Sequence, residues 1–310
     1  MRNAFAHELT ALAAEDPRIV LLSGDIGNRL FNPFKKECQQ RFFNCGVAEA
    51  NMTGMAAGMA TCGLRPITYT IAPFNTVRCL EQIRVDICYH NLSVIVVGVG
   101  AGLSYAGLGG THQACEDIAL LRVMPNMTVI CPGDATEVRL ALRAAVIYGG
   151  PVYIRLGKKN EPAVHQEPPP FEIGKGIVVR RGSDVCIMST GNILPIAIEA
   201  AVHLEAKGIS TQVVSMHTVK PLDLDLLKLS FNTFDVIATV EEHSLIGGFG
   251  ASIAEWMSDQ PPLKGRLCRK GISDNFIRRV GDQNNARKAL GLTASDIAAN
   301  ILASLAKATG

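Results

Sequence analysis

Aromatic residues make up only 5% of this 310-residue chain, and tryptophan occurs once. Charged residues are also sparse at 19%, and their signs nearly cancel, with 30 Lys and Arg against 28 Asp and Glu. A net charge of +2 lacks the basic excess with which a nucleic-acid-binding surface neutralises phosphates, so no nucleic-acid partner is expected. No two of the nine cysteines (38, 45, 62, 79, 88, 115, 131, 186 and 268) stand at CxxC spacing, which excludes a zinc ribbon and a dithiol redox motif. Their odd number and their scatter through apolar segments read as reduced, buried thiols of a cytoplasmic protein. The start, Met1-Arg2-Asn3-Ala4-Phe5-Ala6-His7-Glu8, has no signal-peptide core, and no apolar run approaches the ~18 residues of a membrane span, so no membrane partner is expected.

What the chain does have is apolar bulk, 48% of its residues, enough for real cores. Its length suggests two domains of about 150 residues each. Short β-branched runs alternate with helical patterns, the signature of parallel α/β sheets. The runs are Ile19–Leu22, Phe42–Cys45, Pro66–Tyr69, Val94–Val99, Met127–Cys131 and Val152–Leu156, then Val185–Met188, Thr211–Ser215 and Val236–Val240. Helical patterns fall near 3–14, 47–62, 74–90, 115–123 and 134–148, then near 193–207, 223–229 and 247–258. Between the halves, Glu161-Pro162-Ala163-Val164-His165-Gln166-Glu167-Pro168-Pro169-Pro170 can continue neither a helix nor a central strand. The expected architecture is α/β: a first domain over 1–160, a linker over 161–170 and a smaller second domain over 171–310, each a mostly parallel sheet flanked by helices.

Glu49 is the residue that points to chemistry. It precedes the apolar, small-residue stretch Met52-Thr53-Gly54-Met55-Ala56-Ala57-Gly58-Met59-Ala60, with no cation in the ten residues that follow it. A carboxyl there is expected to be desolvated, which raises its pKa and suits it to hold and hand over a proton near neutral pH. The plainer reading is an acid at a helix start, favoured by the helix dipole. Phe74, after Pro73, is either a core side chain or a ring that stacks on a ligand. His112, in Gly109-Gly110-Thr111-His112-Gln113, is either a cap or core residue or a donor to a developing alkoxide. Asp25, in Ser23-Gly24-Asp25-Ile26-Gly27, follows a strand and is either a turn former or a cleft residue.

The order of these segments carries a resemblance. Asn44-Cys45-Gly46-Val47-Ala48-Glu49-Ala50-Asn51 is followed by Tyr69-Thr70-Ile71-Ala72-Pro73-Phe74, Glu81-Gln82-Ile83-Arg84 and Gly109-Gly110-Thr111-His112-Gln113-Ala114-Cys115-Glu116-Asp117. Then come Leu121-Arg122-Val123-Met124-Pro125-Asn126-Met127, Pro132-Gly133-Asp134, Gly150-Pro151-Val152-Tyr153-Ile154-Arg155-Leu156 and Val240-Glu241-Glu242-His243-Ser244. Over nearly its whole length the chain resembles the C-terminal half of transketolases, a pyrimidine-binding domain followed by a C-terminal domain, and so the second subunit of a split transketolase. The resemblance implies thiamine diphosphate as cofactor. Glu49 then matches the family's Glu on pyrimidine N1′, which drives the ring to its imino form. Phe74 matches the aromatic stacked on that ring, and Ile71 stands where the family has a second aromatic, so one wall of the pocket becomes aliphatic. Asp25 and Ile26 match the segment near cofactor and dimer contact. His112 becomes a catalytic, substrate-facing group. Lys158, in Leu156-Gly157-Lys158-Lys159, lies where the family has an anion-binding Arg, and is otherwise a solvated surface lysine. Glu242 and His243, before a Gly-rich helix start, are expected to be structural.

Two departures from the family pattern limit the reading. No true Gly-Asp-Gly…Asn motif exists, since Gly24-Asp25 is followed by Ile26, so no residue here is expected to ligate the metal. Mg²⁺ (or Ca²⁺) and the diphosphate then fall mainly to a separate N-terminal transketolase-like subunit, most simply in an α2β2 assembly. Gly100 and Leu108 also replace the His and Asp that touch sugar phosphates in ordinary transketolases. The expected function is transfer of a two-carbon ketol or related unit to an aldehyde sugar, an unusual one of specialised carbohydrate metabolism. Two alternatives share the domain order: the β subunit of a 2-oxo acid or acetoin dehydrogenase complex, and a non-catalytic stabilising or regulatory partner of a thiamine enzyme.

Overall fold

The computed structural model describes residues 1–278 and 281–307. The first half runs α1 (Arg2–Glu15), β1 (Ile19–Ser23), α2 (Asn32–Glu37), β2 (Phe42–Asn44), α3 (Glu49–Thr61), β3 (Arg65–Ile71), α4 (Ala72–Asn75) and α5 (Leu80–Gln82). After a π-helical turn over Ile83–Cys88 come β4 (Ile95–Val99), α6 (Asp117–Arg122), β5 (Thr128–Ile130), α7 (Ala135–Tyr148) and β6 (Val152–Leu156). The second half runs β7 (Ile177–Arg180), β8 (Val185–Ser189), α8 (Leu194–Glu205), β9 (Thr211–Ser215), β10 (Thr218–Lys220), α9 (Leu224–Thr233), β11 (Val236–Ser244), α10 (Phe249–Ser258), β12 (Arg266–Ile272), α11 (Gln283–Ala289) and α12 (Ala294–Ala306).

Every residue of β1, β4, β5 and β6 is buried, as continuous apolar strands covered on both faces must be. They belong to a sheet of order β10-β5-β6-β4-β3-β1-β2, parallel except for β10. The second sheet has order β12-β11-β8-β9-β7, with only β7 antiparallel. Helix ends follow local chemistry. The Asp134 side chain accepts from the Glu137 N–H to start α7, and Gly149, at φ 84°, ends it in the left-handed conformation.

The run-based reading anticipates the long buried strands and misses the short or half-exposed ones, β7, β10 and β12, which lack a clear apolar signature. It also misses α2, α11 and α12. The two halves share a sheet edge. β10 follows the second-half strand β9 yet pairs antiparallel with β5, closing the edge of the first sheet. The cysteines are all free, but Cys62 is exposed and Cys45 only half-buried, so the thiols are not uniformly interior. Gln283–Ala306 has the length and apolar composition of a membrane span, with mean hydropathy 1.4 over its most apolar window, although no continuous apolar run spans it. It is two helices, however. α11 stops before Gly291, at φ 65°, and α12 restarts from a Thr293–Asp296 capping box, with Ile297, Ala298 and Ile301 in the second-half core.

Candidate active site

The carboxyl ends of β1, β3 and β4 open on one edge of the first sheet, where ligands of open α/β sheets gather. Glu49 reaches this edge as the first residue of α3, which buries Met52, Thr53, Ala56 and Ala57. Its carboxylate is 1% exposed. The expectation of burial holds, and the fold brings in a cation from outside the ten residues that follow Glu49. Arg78, distant in sequence, donates from Nη1 to Glu49 Oε2 at 2.8 Å. Glu49 Oε1 is buried with no hydrogen-bond partner.

The same guanidinium lies over the Phe74 ring, with Cζ 4.2 Å from its centroid. Phe74 is aimed by its neighbour. Asn75 is fully buried, and its Nδ2 donates to Val97 O at 2.8 Å and to Thr68 Oγ1 at 3.1 Å, which locks α4 against β3 and β4. Phe74 also meets His112 in an edge-to-face arrangement, with centroids 5.1 Å apart and planes at 68°. His112 Nδ1 pairs with Thr111 Oγ1 at 2.9 Å, leaving Nε2 as the ring nitrogen free of that bond.

The loop that carries His112 is built without charge, and its glycines have structural causes. Gly100 has φ 90°, and a Cβ there would collide with the Tyr105 ring. Tyr105 thus fills the space that any side chain at position 100 would need, and its ring stands 6.5 Å from that of His112. The second half pins this loop. Glu242 Oε2 on β11 accepts the Leu103 N–H at 3.0 Å, and Gly102 approaches Glu242 so closely that a Cβ would sit 2.5 Å from the Glu242 Cβ. Gln283 and Arg287 hold the same carboxylate from α11, at 3.1 Å and 2.5 Å.

Beneath the loop lies a buried polar network. Asp117 Oδ2 accepts from Tyr153 Oη at 2.6 Å and Arg155 Nε at 2.8 Å. Arg155 Nη2 also donates to Ala114 O at 2.6 Å and to Glu242 O at 3.0 Å, joining the halves. Burial alone would raise the Asp117 pKa, but the adjacent guanidinium holds it below the usual carboxylate range. His243 accepts the Ala119 N–H of α6 at Nε2 (3.3 Å) while Nδ1 bonds Ser244 O at 2.8 Å. Burial pushes its pKa down to about 4. Burial pushes Glu241 up to about 7, although its carboxylate accepts the Phe249 and Gly250 N–H groups at the start of α10. Glu242 and His243 therefore serve as interdomain struts.

The structure thus brings Glu49, Phe74 and His112 into one cluster. Ile26 and Ile71, beyond β1 and at the end of β3, each pack against the first-half core. Asp25 is exposed at φ 58°, and its Oδ1 accepts from Asn44 Nδ2 at 2.9 Å. Lys158 follows β6, and its backbone carbonyl accepts the Arg2 N–H at 3.1 Å. No contact that ties the cluster together involves its ammonium. Sequence reasoning missed Arg78, Tyr105 and Asn75. The four-residue step from Phe74 to Arg78, which lets a cation reach a neighbouring ring on a helical turn, was the available signal.

Comparison with known proteins identifies the family. Residues 1–163 match the family model of the transketolase pyrimidine-binding domain, and residues 174–297 match that of the transketolase C-terminal domain. The chain belongs to the transketolase family and comprises those two domains. It is 35% identical to a 6-deoxy-6-sulfo-D-fructose transketolase subunit, SqwH, of a Clostridium species, over 96% of this chain and 92% of that protein. It is 35% identical to an apulose-4-phosphate transketolase subunit of Actinobacillus succinogenes, over 86% and 85%. Among solved structures it is similar to a split-gene transketolase described as an inactive β4 tetramer, with TM-score 0.89, 38% identity and coverage of 98% and 97%.

Proposed function

We propose that this chain is the C-terminal subunit of a split, thiamine-diphosphate-dependent transketolase that moves a two-carbon ketol unit onto an uncommon aldehyde sugar. The observation that carries the reading is the seat between Glu49 and Phe74. A buried carboxylate has one oxygen without a partner, and a planar cation rather than a core side chain covers the aromatic face beside it. An aminopyrimidine has the shape, the in-plane nitrogens and the π-face for such a seat. When bound, thiamine diphosphate supplies the nucleophilic carbon that such transfers need.

This chain's own residues then divide the work. Glu49 holds and exchanges a proton at the pyrimidine nitrogen, with its position at the N-terminus of α3 fixing the carboxylate. Phe74 stacks on the ring, worth about 0.5–1.5 kcal/mol beyond area burial. Ile71 and Ile26 give the pocket an aliphatic wall, and Asp25 lines its rim. His112, with Nδ1 engaged by Thr111, offers Nε2–H to a developing substrate alkoxide, electrostatic help of the kind that dominates catalysis in many such sites. Lys158 is the group on this chain for an anionic substituent of the sugar, as a point charge rather than a fork. A separate N-terminal subunit holds the diphosphate and its Mg²⁺ or Ca²⁺, in an α2β2 assembly in the cytoplasm. Two relatives named for sulfofructose and apulose phosphate, and the loop from Gly100 to Leu108 without a charge, support an unusual sugar. The test is Glu49→Gln in the complex reconstituted with the diphosphate-binding subunit. Ketol transfer should fall at least about a hundredfold, the scale of a lost proton-transfer group. Undiminished turnover would remove Glu49 from the mechanism and the reading with it.

A further inference from the structure

Glu49 and Phe74 already share one partner, Arg78. The guanidinium of Arg78 bonds the carboxylate at 2.8 Å and lies 4.2 Å above the ring centroid, making in one place the two contacts that the proposed function asks of a pyrimidine. The chemical likeness is close. A protonated aminopyrimidine and a guanidinium are both planar cations with in-plane N–H donors for a carboxylate and a flat face for an aromatic. Two such groups cannot stack on one ring face, and both draw on the same buried carboxylate.

We infer that Arg78 is a placeholder for the pyrimidine: it occupies the seat between Glu49 and Phe74 until the cofactor enters, and swings out to admit it. This rests on the thiamine diphosphate reading above. The exposures of the two partners fit the role. The Glu49 side chain is 1% exposed and fixed in α3, whereas the Arg78 side chain is 44% exposed and reaches in from the rim. It can leave into solvent without opening the core. Arg78 also sits in a 3₁₀ turn, Val77–Cys79, between the short helices α4 and α5, a segment outside any long rigid element. While Arg78 is in, the buried carboxylate keeps a counter-charge. When it leaves, the incoming ring supplies one. Arg78 is thus a positioning residue that acts through Glu49.

The placeholder has a measurable consequence. A ligand whose site is open in only a fraction of molecules binds with its affinity reduced by that fraction. If Arg78 fills the seat in about nine molecules of ten, removing it tightens ring binding by about tenfold. The probe is 4-amino-2,5-dimethylpyrimidine, the cofactor's ring without its diphosphate, titrated calorimetrically into the isolated chain. Thiamine diphosphate with Mg²⁺ is titrated in parallel into the complex reconstituted with the diphosphate-binding subunit. Arg78→Ala should bind both more tightly than wild type by several-fold to tenfold. Methylguanidinium added back at millimolar concentration should weaken the variant's binding toward the wild-type value, while equal sodium chloride should not. Arg78→Lys keeps a charge on Glu49 but has no planar face, and should fall between the two. It also keeps the comparison available should Arg78→Ala not fold. Equal or weaker binding in both variants, with the wild type binding normally, overturns the placeholder and leaves the proposed function standing. No binding of ring or cofactor by any form overturns both.

Discussion

Arg155→Met tests whether the buried network, rather than the linker, joins the two halves. Arg155 and Asp117 are each 1% exposed, and the Met stem would fill much of the same volume without the guanidinium. Three hydrogen bonds vanish, to Asp117 Oδ2, Ala114 O and Glu242 O. Asp117 keeps only the Tyr153 hydroxyl, because its Oδ1 already lacks a partner. Breaking a buried pair from one side costs roughly 3–5 kcal/mol. Glu242 O loses its donor as well, worth about 1 kcal/mol, while Ala114 O keeps the Gly102 N–H at 3.0 Å. The loss, on the order of 5 kcal/mol, rivals the ~5–15 kcal/mol that holds a typical domain folded. At about 2–4 °C per kcal/mol for chains of this class, the melting temperature should drop by at least ~10 °C. Urea unfolding read by Trp256, the single tryptophan, which packs on Phe231 at 5.6 Å, gives the free energy directly. Asp117→Asn added to Arg155→Met removes the stranded charge and should restore part of the loss. A cost under about 2 kcal/mol for the single variant, or a double variant no better than the single, would refute the assignment of an uncompensated buried carboxylate.

Two further outcomes follow from the same geometry. His243, lowered by burial from 6.5 to about 4, gives stability that is complete above pH 6.5 and is lost as pH falls from 6.5 to 4, on the order of 3 kcal/mol in all. Glu241, raised by burial to about 7, works oppositely, its contribution fading as pH rises from 4.5 through 7, so the His243 effect is read as wild type minus His243→Gln at each pH. A difference that stays flat between pH 7 and 4 would show that His243 is not held neutral. Phe74→Leu should weaken binding of thiamine diphosphate by the reconstituted complex by about two- to tenfold, the worth of the lost aromatic stacking, and unchanged affinity in calorimetry would take Phe74 out of the seat.

The long buried strands were legible in the sequence because continuous β-branched runs such as Ile19–Leu22 and Val94–Val99 suit only a sheet covered on both faces. Glu49 was legible because an acid ahead of an apolar, small-residue helix stands out against its surroundings, and the order of motifs around it fixed the family. The step from Phe74 to Arg78 hinted at a cation on the ring, but the pairing of Arg78 with Glu49, 29 residues away, was not legible, because it depends on where the side chain comes to rest. Gly100 is a visible departure from the family pattern, but its cause, the ring of Tyr105 pressed against it, needed coordinates.

The sequence by itself thus determined the fold class and the family, and it singled out the carboxylate of Glu49, all encoded in local pattern and order along the chain. Only the tertiary structure decided what accompanies that carboxylate and what holds the His112 loop. Those are contacts between residues far apart in the chain, Glu49 with Arg78 and Leu103 with Glu242. It also decided that β10 completes the first sheet from the second half. No local propensity specifies such pairings, which are selected only when whole surfaces pack and each buried polar group must find a partner.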